Sequence, residues 1–236
     1  MSYVPYLSDD VLQALVKEVV DYILATQQRE EAKLHKNVID PFSAIFDGVV
    51  LQFELEDWIK KEKSRQVQKT VQNKIGEFHQ AILGSLPGWE NLGTGKGLDV
   101  RNNSRKIIAE IKNKHNTVKG NHLYVIYDEL LSELNKPEYQ EFTAYFVQIV
   151  PKSIKPCDRP FTPSYQGKRR PINQNLRQIS GQKFYDLATG IPGSLSMLFN
   201  VLPDVISEVT ELNNFSEQQK TDFRSLFDRA YGISVN

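Results

Sequence analysis

Two runs of alternating apolar and polar residues, separated by a polar Asn-Asn-Ser turn, constrain the fold of this chain most strongly. They lie in GLDVRNNSRKIIAEIKNKHNTVK, residues 97–119. Period-2 alternation on both sides of a short turn predicts a β-hairpin. With an even-numbered loop, Leu98 pairs with Ile111 and Val100 pairs with Ala109. One face of the hairpin is then apolar and consists of Leu98, Val100, Ile107, Ala109 and Ile111.

The other face of this hairpin brings two carboxylates together. Asp99 lies directly opposite Glu110, and Lys112 follows on the same face. Two like charges opposite each other destabilise a sheet. A hard divalent cation between them removes that cost, since Mg²⁺ is held by one or two carboxylates together with water and phosphate oxygens. The lysine can orient or help deprotonate an attacking water, so the pattern points to metal-assisted phosphodiester hydrolysis.

Charge along the chain is strongly uneven, although the 236 residues have a formal net charge of zero. Arg105–Lys119 contains five basic residues and one acidic residue, which gives a net charge of +4. Lys152–Lys183 contains eight basic residues and one acidic residue, which gives a net charge of +7. The rest of the chain therefore carries −11. Two concentrated basic segments in a neutral protein predict local binding of a polyanion.

Several classes of protein are disfavoured by the composition. No run of 18 apolar residues predicts a membrane span, and the acidic N-terminus has no signal-peptide core. The single cysteine, Cys157, fits a reducing cytosol, so we expect a cytoplasmic protein. The Gly-rich run Gly93–Gly97 lacks the phosphate-loop spacing, and we expect no nucleotide cofactor.

The periodicity predicts one α/β domain over residues 1–236, wrapped by helices from both ends. Residues 1–53 form a helical N-terminal part, 54–150 form the α/β core, and 151–236 form a basic loop and C-terminal helices. Ser8 caps the first helix. Asp40-Pro41 opens a second helix that buries Phe42, Ile45, Phe46 and Val49.

Further elements follow from the same signals. A long helix runs from about residue 54 to 83, a helix lies near 124–134, and AYFVQIV at 144–150 is a strand. Residues 151–174 are a long basic loop, and a loop of that length is usually functional or disordered. Helices at 181–188, 193–212 and 216–231 complete the chain.

The arrangement Asp99…Glu110-x-Lys112 resembles the PD-(D/E)XK nuclease signature. The run AEIKNKHNTVKG is similar to type II restriction endonucleases, and more narrowly to the group that cuts GGNCC-like sites. No proline precedes Asp99, where that signature often has one. Similar stretches cover most of the chain: KNVIDPFSAIFD, QNKIGEFHQAILG, RPFTPS and ISGQKFYDLATG.

This resemblance implies a specific fold and chemistry. The expected fold is a PD-(D/E)XK core, a central mixed sheet flanked by helices, with additional N- and C-terminal helices. Asp99 and Glu110 would bind Mg²⁺, Lys112 would position the attacking water, and Glu77 would supply a further acid for a second metal ion. The substrate would be double-stranded DNA with a GGNCC-like palindrome. Because protein symmetry mirrors site symmetry, we expect a homodimer.

The two basic segments supply candidate DNA contacts. Residues after the second strand would meet phosphates, and Arg, Asn and Gln in the later segment have side chains that read base edges. The candidates are Lys114, His115, Asn116, Lys119, Lys168, Arg169, Arg170, Asn173, Asn175 and Arg177. Two other interpretations stay open: a repair or structure-selective nuclease on the same fold, and a DNA-binding protein that has lost its activity.

Overall fold

The computed structural model describes residues 2–32, 40–93, 97–115, 120–210 and 214–233. The chain divides into two units, one formed by Met1–Lys17 with Gly76–Asn236 and the other by Glu18–Ile75. All strands belong to the first unit.

Within the described residues, six strands form a mixed sheet in the order β1-β2-β3-β4-β8-β5. Strands β3, β4 and β8 are parallel to one another, and the outer strands are antiparallel to their neighbours. Helices flank this sheet, which confirms the predicted α/β architecture. The strands are β1 (Glu90–Asn91), β2 (Val100–Asn102), β3 (Ile107–Lys114), β4 (Thr143–Val150), β5 (Asp158–Pro160), β6 (Ser164–Tyr165), β7 (Lys168–Arg169) and β8 (Leu176–Ser180).

The predicted hairpin is formed by β2 and β3, and Val100 pairs with Ala109 as expected. The ladder ends at that pair, so the predicted pairing of Leu98 with Ile111 is wrong. The reason is that Asp99 leaves the regular ladder and accepts the Ile111 N–H with its side chain. The apolar residues of the predicted inner face are all buried nevertheless.

The helices begin close to where the sequence predicts them. Asp40 accepts the Phe42 N–H at the start of α2, and Ser216 forms a capping box with Gln219 at the start of α7. No helix in the described part of the chain is long and apolar enough to cross a membrane. The helices are α1 (Asp9–Ala32), α2 (Pro41–Leu51), α3 (Leu55–Gly84), α4 (Gly120–Leu134), α5 (Gly181–Thr189), α6 (Ser194–Val209) and α7 (Glu217–Tyr231).

Helix α4 connects the parallel strands β3 and β4 and covers the start of one face of the sheet. Its side chains pack against the first halves of β3, β4 and β8 around Phe146 and Phe161. Helix α5 contacts β4 and β8, and Phe184 packs on Tyr145 from the opposite face. Helix α4 covers only the first halves of these strands. Towards their carboxyl ends, the same face of the sheet carries polar side chains.

Helix α2 differs from expectation in its burial. None of its residues is buried, so the predicted burial of Phe42, Ile45, Phe46 and Val49 is wrong. The hydrophobic period correctly predicts a helix. The hydrophobic period does not show whether the apolar face of that helix packs against the rest of the chain or is exposed.

The basic segment 151–174 is structured rather than an open loop. It contains edge strand β5 and the β6–β7 hairpin, whose turn has Gln166 and Gly167 in the left-handed region. Tyr127 on α4 donates a hydrogen bond to the Pro171 carbonyl and fixes the end of this segment. The following strand, β8, lies inside the sheet and was not predicted, since only Leu176 and Ile179 are apolar in it.

Candidate active site

Asp99 lies immediately before β2, where its backbone and side chain both bond to β3. Its N–H donates to the Ala109 carbonyl at 2.8 Å, and its carboxylate accepts the Ile111 N–H at 2.6 Å. Glu110 lies between those two partners. Asp99 and Glu110 are each only 7% exposed. The hairpin thus holds two carboxyl groups together in a largely dehydrated place.

Burial of this carboxyl pair has a clear electrostatic consequence. Desolvation and, to a smaller extent, the negative charge of Glu110 raise the pKa of Asp99, which reaches about 7. The hydrogen bond from Ile111 and the charge of Lys112 act in the opposite direction. A cation bound between the carboxylates would offset both the desolvation and the repulsion.

Lys112 is the third member of this group, and its ammonium forms an ion pair with Glu110. The Lys112 side chain is 31% exposed, whereas that of Glu110 is 10% exposed. The lysine therefore reaches from the buried carboxylates toward solvent. The structure brings together Asp99, Glu110 and Lys112 as the sequence pattern predicts.

The donor set of this site fits a hard divalent cation. Two adjacent carboxylates offer oxygen ligands, and Mg²⁺ keeps several waters beside one or two such groups. Glu77 is exposed on α3. Among the described residues, no group of three or more His, Cys, Asp or Glu side chains could hold a metal ion. Asp99 and Glu110 are thus the best candidate ligands for one metal ion.

A cleft of about 600 Å³ opens beside these residues. It adjoins the site because Gln148, which lines it, is paired in register with Lys112. No Asp or Glu in the described part of the chain lines the cleft, whereas Lys152, Arg159 and Arg169 do. The cleft is therefore suited to an anion. The lining residues are His115, Leu123, Gln148, Lys152, Arg159, Pro160, Phe161, Thr162, Pro163, Ser164, Arg169 and Gln178.

Two of the residues predicted to contact DNA lie in this cleft. Arg169 is exposed on β7, and His115 directly follows β3. The Nδ1 atom of His115 is buried and finds no hydrogen-bond partner in the described structure, so a bound ligand could satisfy it. Lys114 is the last residue of β3. Asn116 and Lys119 lie outside the described residues.

Other predicted contacts are held by the protein itself. Arg170 is ion-paired with Asp128, and its guanidinium lies 4.3 Å from the centre of the Tyr124 ring. The carbonyl of Lys168 accepts a hydrogen bond from the same tyrosine. Arg170 and Lys168 therefore help to attach the β6–β7 hairpin to α4.

Three predicted contacts lie away from the carboxylates. Asn173 accepts the Asn175 N–H in the turn before β8, at the amino end of the parallel strands. Arg177 forms a 2.6 Å ion pair with Asp158. It is paired with Tyr145 in the sheet, so its side chain lies on the face opposite Gln178. The structure does not bring these residues together with Asp99 and Glu110.

Four charged or amide side chains of the cleft were not predicted to have a role: Lys152, Arg159, Gln148 and Gln178. For Gln148 a signal exists, because it is the single polar side chain between apolar neighbours in the strand AYFVQIV. It is only 6% exposed. A buried glutamine in such a strand usually has a specific partner.

Fold and resemblance together define the class of this protein, a restriction-endonuclease-like α/β nuclease. The family model described as Eco47II restriction endonuclease matches residues 4–211. The chain is 39% identical to the type II restriction enzyme Eco47II of Escherichia coli over 98% of this chain and 100% of that protein. It is 28% identical to the type II restriction enzyme Sau96I of Staphylococcus aureus over 99% and 95%.

The chain belongs to the Eco47II restriction endonuclease family. It is a type II restriction endonuclease, a site-specific deoxyribonuclease. This membership favours restriction over the two other interpretations, a repair nuclease and an inactive DNA-binding protein.

Proposed function

We propose that this enzyme hydrolyses phosphodiester bonds in double-stranded DNA with Mg²⁺, using Asp99, Glu110 and Lys112. The observation that supports it most is the buried Asp99–Glu110 pair beside Lys112, next to a cleft lined by cations and free of described acids. Buried like charges are costly without a counter-ion, so a site of this kind is built for a bound cation.

Asp99 and Glu110 are the residues that would hold Mg²⁺. When bound, the ion acts as a Lewis acid on the phosphate. Lys112, fixed by its ion pair with Glu110, orients the attacking water for in-line attack on phosphorus. The water oxygen bonds to phosphorus while the bond to the 3′ oxygen breaks. The water loses a proton to solvent and the departing 3′ oxygen takes one up, so the ends are a 5′-phosphate and a 3′-hydroxyl. Glu77 stays a candidate ligand for a second ion, directly or through water.

We rank the candidate DNA contacts by whether they line the cleft beside the proposed metal site. His115 and Arg169 line the cleft and are the best supported contacts. Lys114 adjoins them at the end of β3. The other candidates lie farther along the basic segments: Asn116, Lys119, Lys168, Arg170, Asn173, Asn175 and Arg177.

The substrate sequence we propose is a GGNCC-like palindrome. Support comes from the resemblance of residues 109–120 and the other quoted stretches to enzymes that cut such sites. Two cuts in a palindrome require two active sites related by a two-fold axis, so we propose a homodimer. The enzyme would work in the cytoplasm, where its free thiol, Cys157, stays reduced, and without a nucleotide cofactor.

The test is cleavage of a duplex with one GGNCC site by the wild-type chain, Asp99→Ala and Asp204→Asn. Asp204 is a surface carboxylate paired with Lys220 and serves as the matched control. We expect cutting with Mg²⁺ by the wild type and by Asp204→Asn, and none by Asp99→Ala. In Ca²⁺ all three should bind the site without cutting it. Cutting by Asp99→Ala at the wild-type rate would contradict the assignment.

A further inference from the structure

A line of three hydrogen-bonding side chains crosses the floor of the cleft. Arg159 Nη2 donates to Gln178 Oε1 at 3.4 Å, and Gln178 Nε2 donates to Gln148 Oε1 at 2.8 Å. The three residues belong to β5, β8 and β4, and all of them line the cleft. None of them was predicted to have a role.

The direction of this line is fixed by chemistry. A guanidinium can only donate hydrogen bonds, so the oxygen of Gln178 must face Arg159 and its nitrogen must face Gln148. The oxygen of Gln148 is thereby occupied, and its amide nitrogen is left over. In the described structure that nitrogen has no hydrogen-bond acceptor, although the residue is almost completely buried. A donor in this state is available to a ligand.

The position of this donor relates it to the active site. Gln148 is the register partner of Lys112, and partners on adjacent parallel strands present their side chains on the same face. Glu110 lies on that face too, two residues before Lys112. The donor is neutral, so it neither repels a metal ion held by Asp99 and Glu110 nor competes for it as a carboxylate would.

We propose that the Gln148 amide donates a hydrogen bond to a DNA backbone phosphate next to the scissile bond, positioned by Gln178 and Arg159. This inference rests on the proposed function and adds a substrate-contacting residue to it. A hydrogen bond from a neutral donor releases no counter-ions, so the contact should contribute affinity without contributing to the salt dependence.

The experiment measures binding in Ca²⁺ to cognate duplexes that carry one neutral methylphosphonate at successive backbone positions. The variants are Gln148→Leu, Gln148→Glu and, as a matched control, Gln218→Leu, an exposed glutamine of α7. We expect Gln148→Leu to bind about tenfold more weakly, with an unchanged salt slope. The methylphosphonate at the contacted phosphate should weaken DNA binding by the wild type, but it should not weaken DNA binding by Gln148→Leu any further. Gln148→Glu should bind more weakly still, because its carboxylate faces a phosphate.

Three results would overturn the proposal. The first is that Gln148→Leu responds to the series of methylphosphonates as the wild type does, and the second is that its salt slope differs from that of the wild type. The third is that it no longer distinguishes one base of the site while its response to the methylphosphonates is unchanged. If Gln148→Leu does not fold, Gln178→Leu takes its place and should show a partial loss at the same phosphate. Cleavage by the wild type in Mg²⁺ separates the two claims. An active wild type with an unaltered Gln148→Leu profile contradicts this proposal alone, whereas a wild type that neither binds nor cuts contradicts both.

A second, independent feature is the apolar patch on α2 and the start of α3. We define it as Phe42, Ile45, Phe46, Val49, Val50, Leu51 and Leu55, each between 54% and 75% exposed. A typical monomer exposes no apolar patch above about 600 Å². The exposed area of these side chains is on the order of 800 Å², which is about what each partner contributes to a stable interface.

The charge of the patch indicates which partner it fits. Asp47 is the one charged residue of α2, and it accepts a 2.9 Å hydrogen bond from Trp58 Nε1. Across a two-fold axis both copies contribute the same surface, so a charge near the axis would lie close to the same charge of the other copy. An apolar patch of this size, on a helix whose one charged side chain accepts a hydrogen bond, suits self-association. We infer that a second copy of this chain covers it, which deepens the proposed homodimer.

The test is the oligomeric state by sedimentation over a range of concentrations for the wild type, Ile45→Glu, Phe46→Glu and the control Leu226→Glu. Leu226 is an exposed apolar residue of α7. We expect dimers for the wild type and Leu226→Glu, and monomers for the two α2 variants. Dimers of unchanged dissociation constant in both α2 variants, or a monomeric wild type, would overturn the inference. Wild-type cleavage, measured separately, tests the proposed function itself.

Discussion

The backbone N–H of Ile111 donates a 2.6 Å hydrogen bond to the carboxylate of Asp99. This bond joins the residue before β2 to the strand that carries Glu110 and Lys112. It fixes one carboxylate beside the other although their charges repel. The energetic cost of that arrangement makes the metal-free protein sensitive to the charge at position 99.

Replacing Asp99 by Asn should stabilise the metal-free protein at alkaline pH. The folded state raises the pKa of Asp99 from 3.8 to about 7, so the folded chain holds this proton more tightly than the unfolded chain does. The Asp99 contribution to stability is therefore lost as the pH rises from about 4 to 7, and the loss is complete above that. Asn keeps an acceptor for the Ile111 N–H and carries no charge.

The measurement is thermal unfolding in EDTA at pH 5 and pH 8. At pH 8 we expect Asp99→Asn to gain about 1–3 kcal/mol, which is on the order of 2–10 °C for a chain of this size. The gain should be smaller at pH 5, and added Mg²⁺ should raise the melting temperature of the wild type only. A lower melting temperature of the variant at pH 8 would count against the buried carboxylate pair.

Cleavage at limiting Mg²⁺ should depend steeply on pH. Protons and the metal ion compete for Asp99, whose pKa in the metal-free protein is about 7. The Mg²⁺ concentration for half-maximal rate should therefore rise about tenfold per pH unit below pH 7 and become nearly constant above pH 8. Cleavage rates over Mg²⁺ titrations from pH 5.5 to 8.5 test this. A half-maximal concentration that does not change with pH would contradict it.

Lys112→Ala should lower the cleavage rate by about 10²–10⁴-fold while DNA binding in Ca²⁺ is retained. Lys112→Arg should not restore activity, because a planar guanidinium cannot replace the compact ammonium that pairs with Glu110. Single-turnover rates separate chemistry from binding. Lys136→Ala, a surface lysine paired with Glu133, is the control and should behave as wild type. Near-normal turnover of Lys112→Ala would remove this residue from the mechanism.

Arg169→Ala and Arg177→Ala should have different effects. Arg169 lines the cleft, so its loss should weaken binding to all sequences and lower the salt slope by about one. Arg177 is paired with Asp158, so its loss should cost about 1 kcal/mol of stability and change the salt slope less than the loss of Arg169 does. Binding in Ca²⁺ between 50 and about 200 mM salt decides this. Equal salt slopes in Arg169→Ala and the wild type would exclude the cleft assignment of Arg169.

The catalytic hairpin could be predicted from sequence because its information is local. Period-2 runs and a polar turn fix the pairing of Val100 with Ala109, and Asp99, Glu110 and Lys112 follow from it. The pairing that fails, Leu98 with Ile111, fails for a reason of side-chain chemistry, since the Asp99 carboxylate takes the Ile111 N–H.

The cleft could not be predicted because its determinants are far apart in the chain. Gln148 and Gln178 meet only because β8 inserts beside β4, and β8 has too few apolar residues to show a period. Similarly, the Asp128–Arg170 ion pair joins residues 42 positions apart, and it links a predicted DNA contact to α4. The exposure of α2 is a third case, since an apolar period says nothing about what covers the helix.

The most direct test of this proposed function is digestion of a sequenced phage genome with the purified chain and Mg²⁺, followed by sequencing of the fragment ends. We expect every end to fall within a GGNCC-like palindrome, with one fixed stagger and 5′-phosphates, and we expect Asp99→Ala purified in the same way to produce no ends. Ends without a shared sequence, or the same fragments from Asp99→Ala, would contradict it.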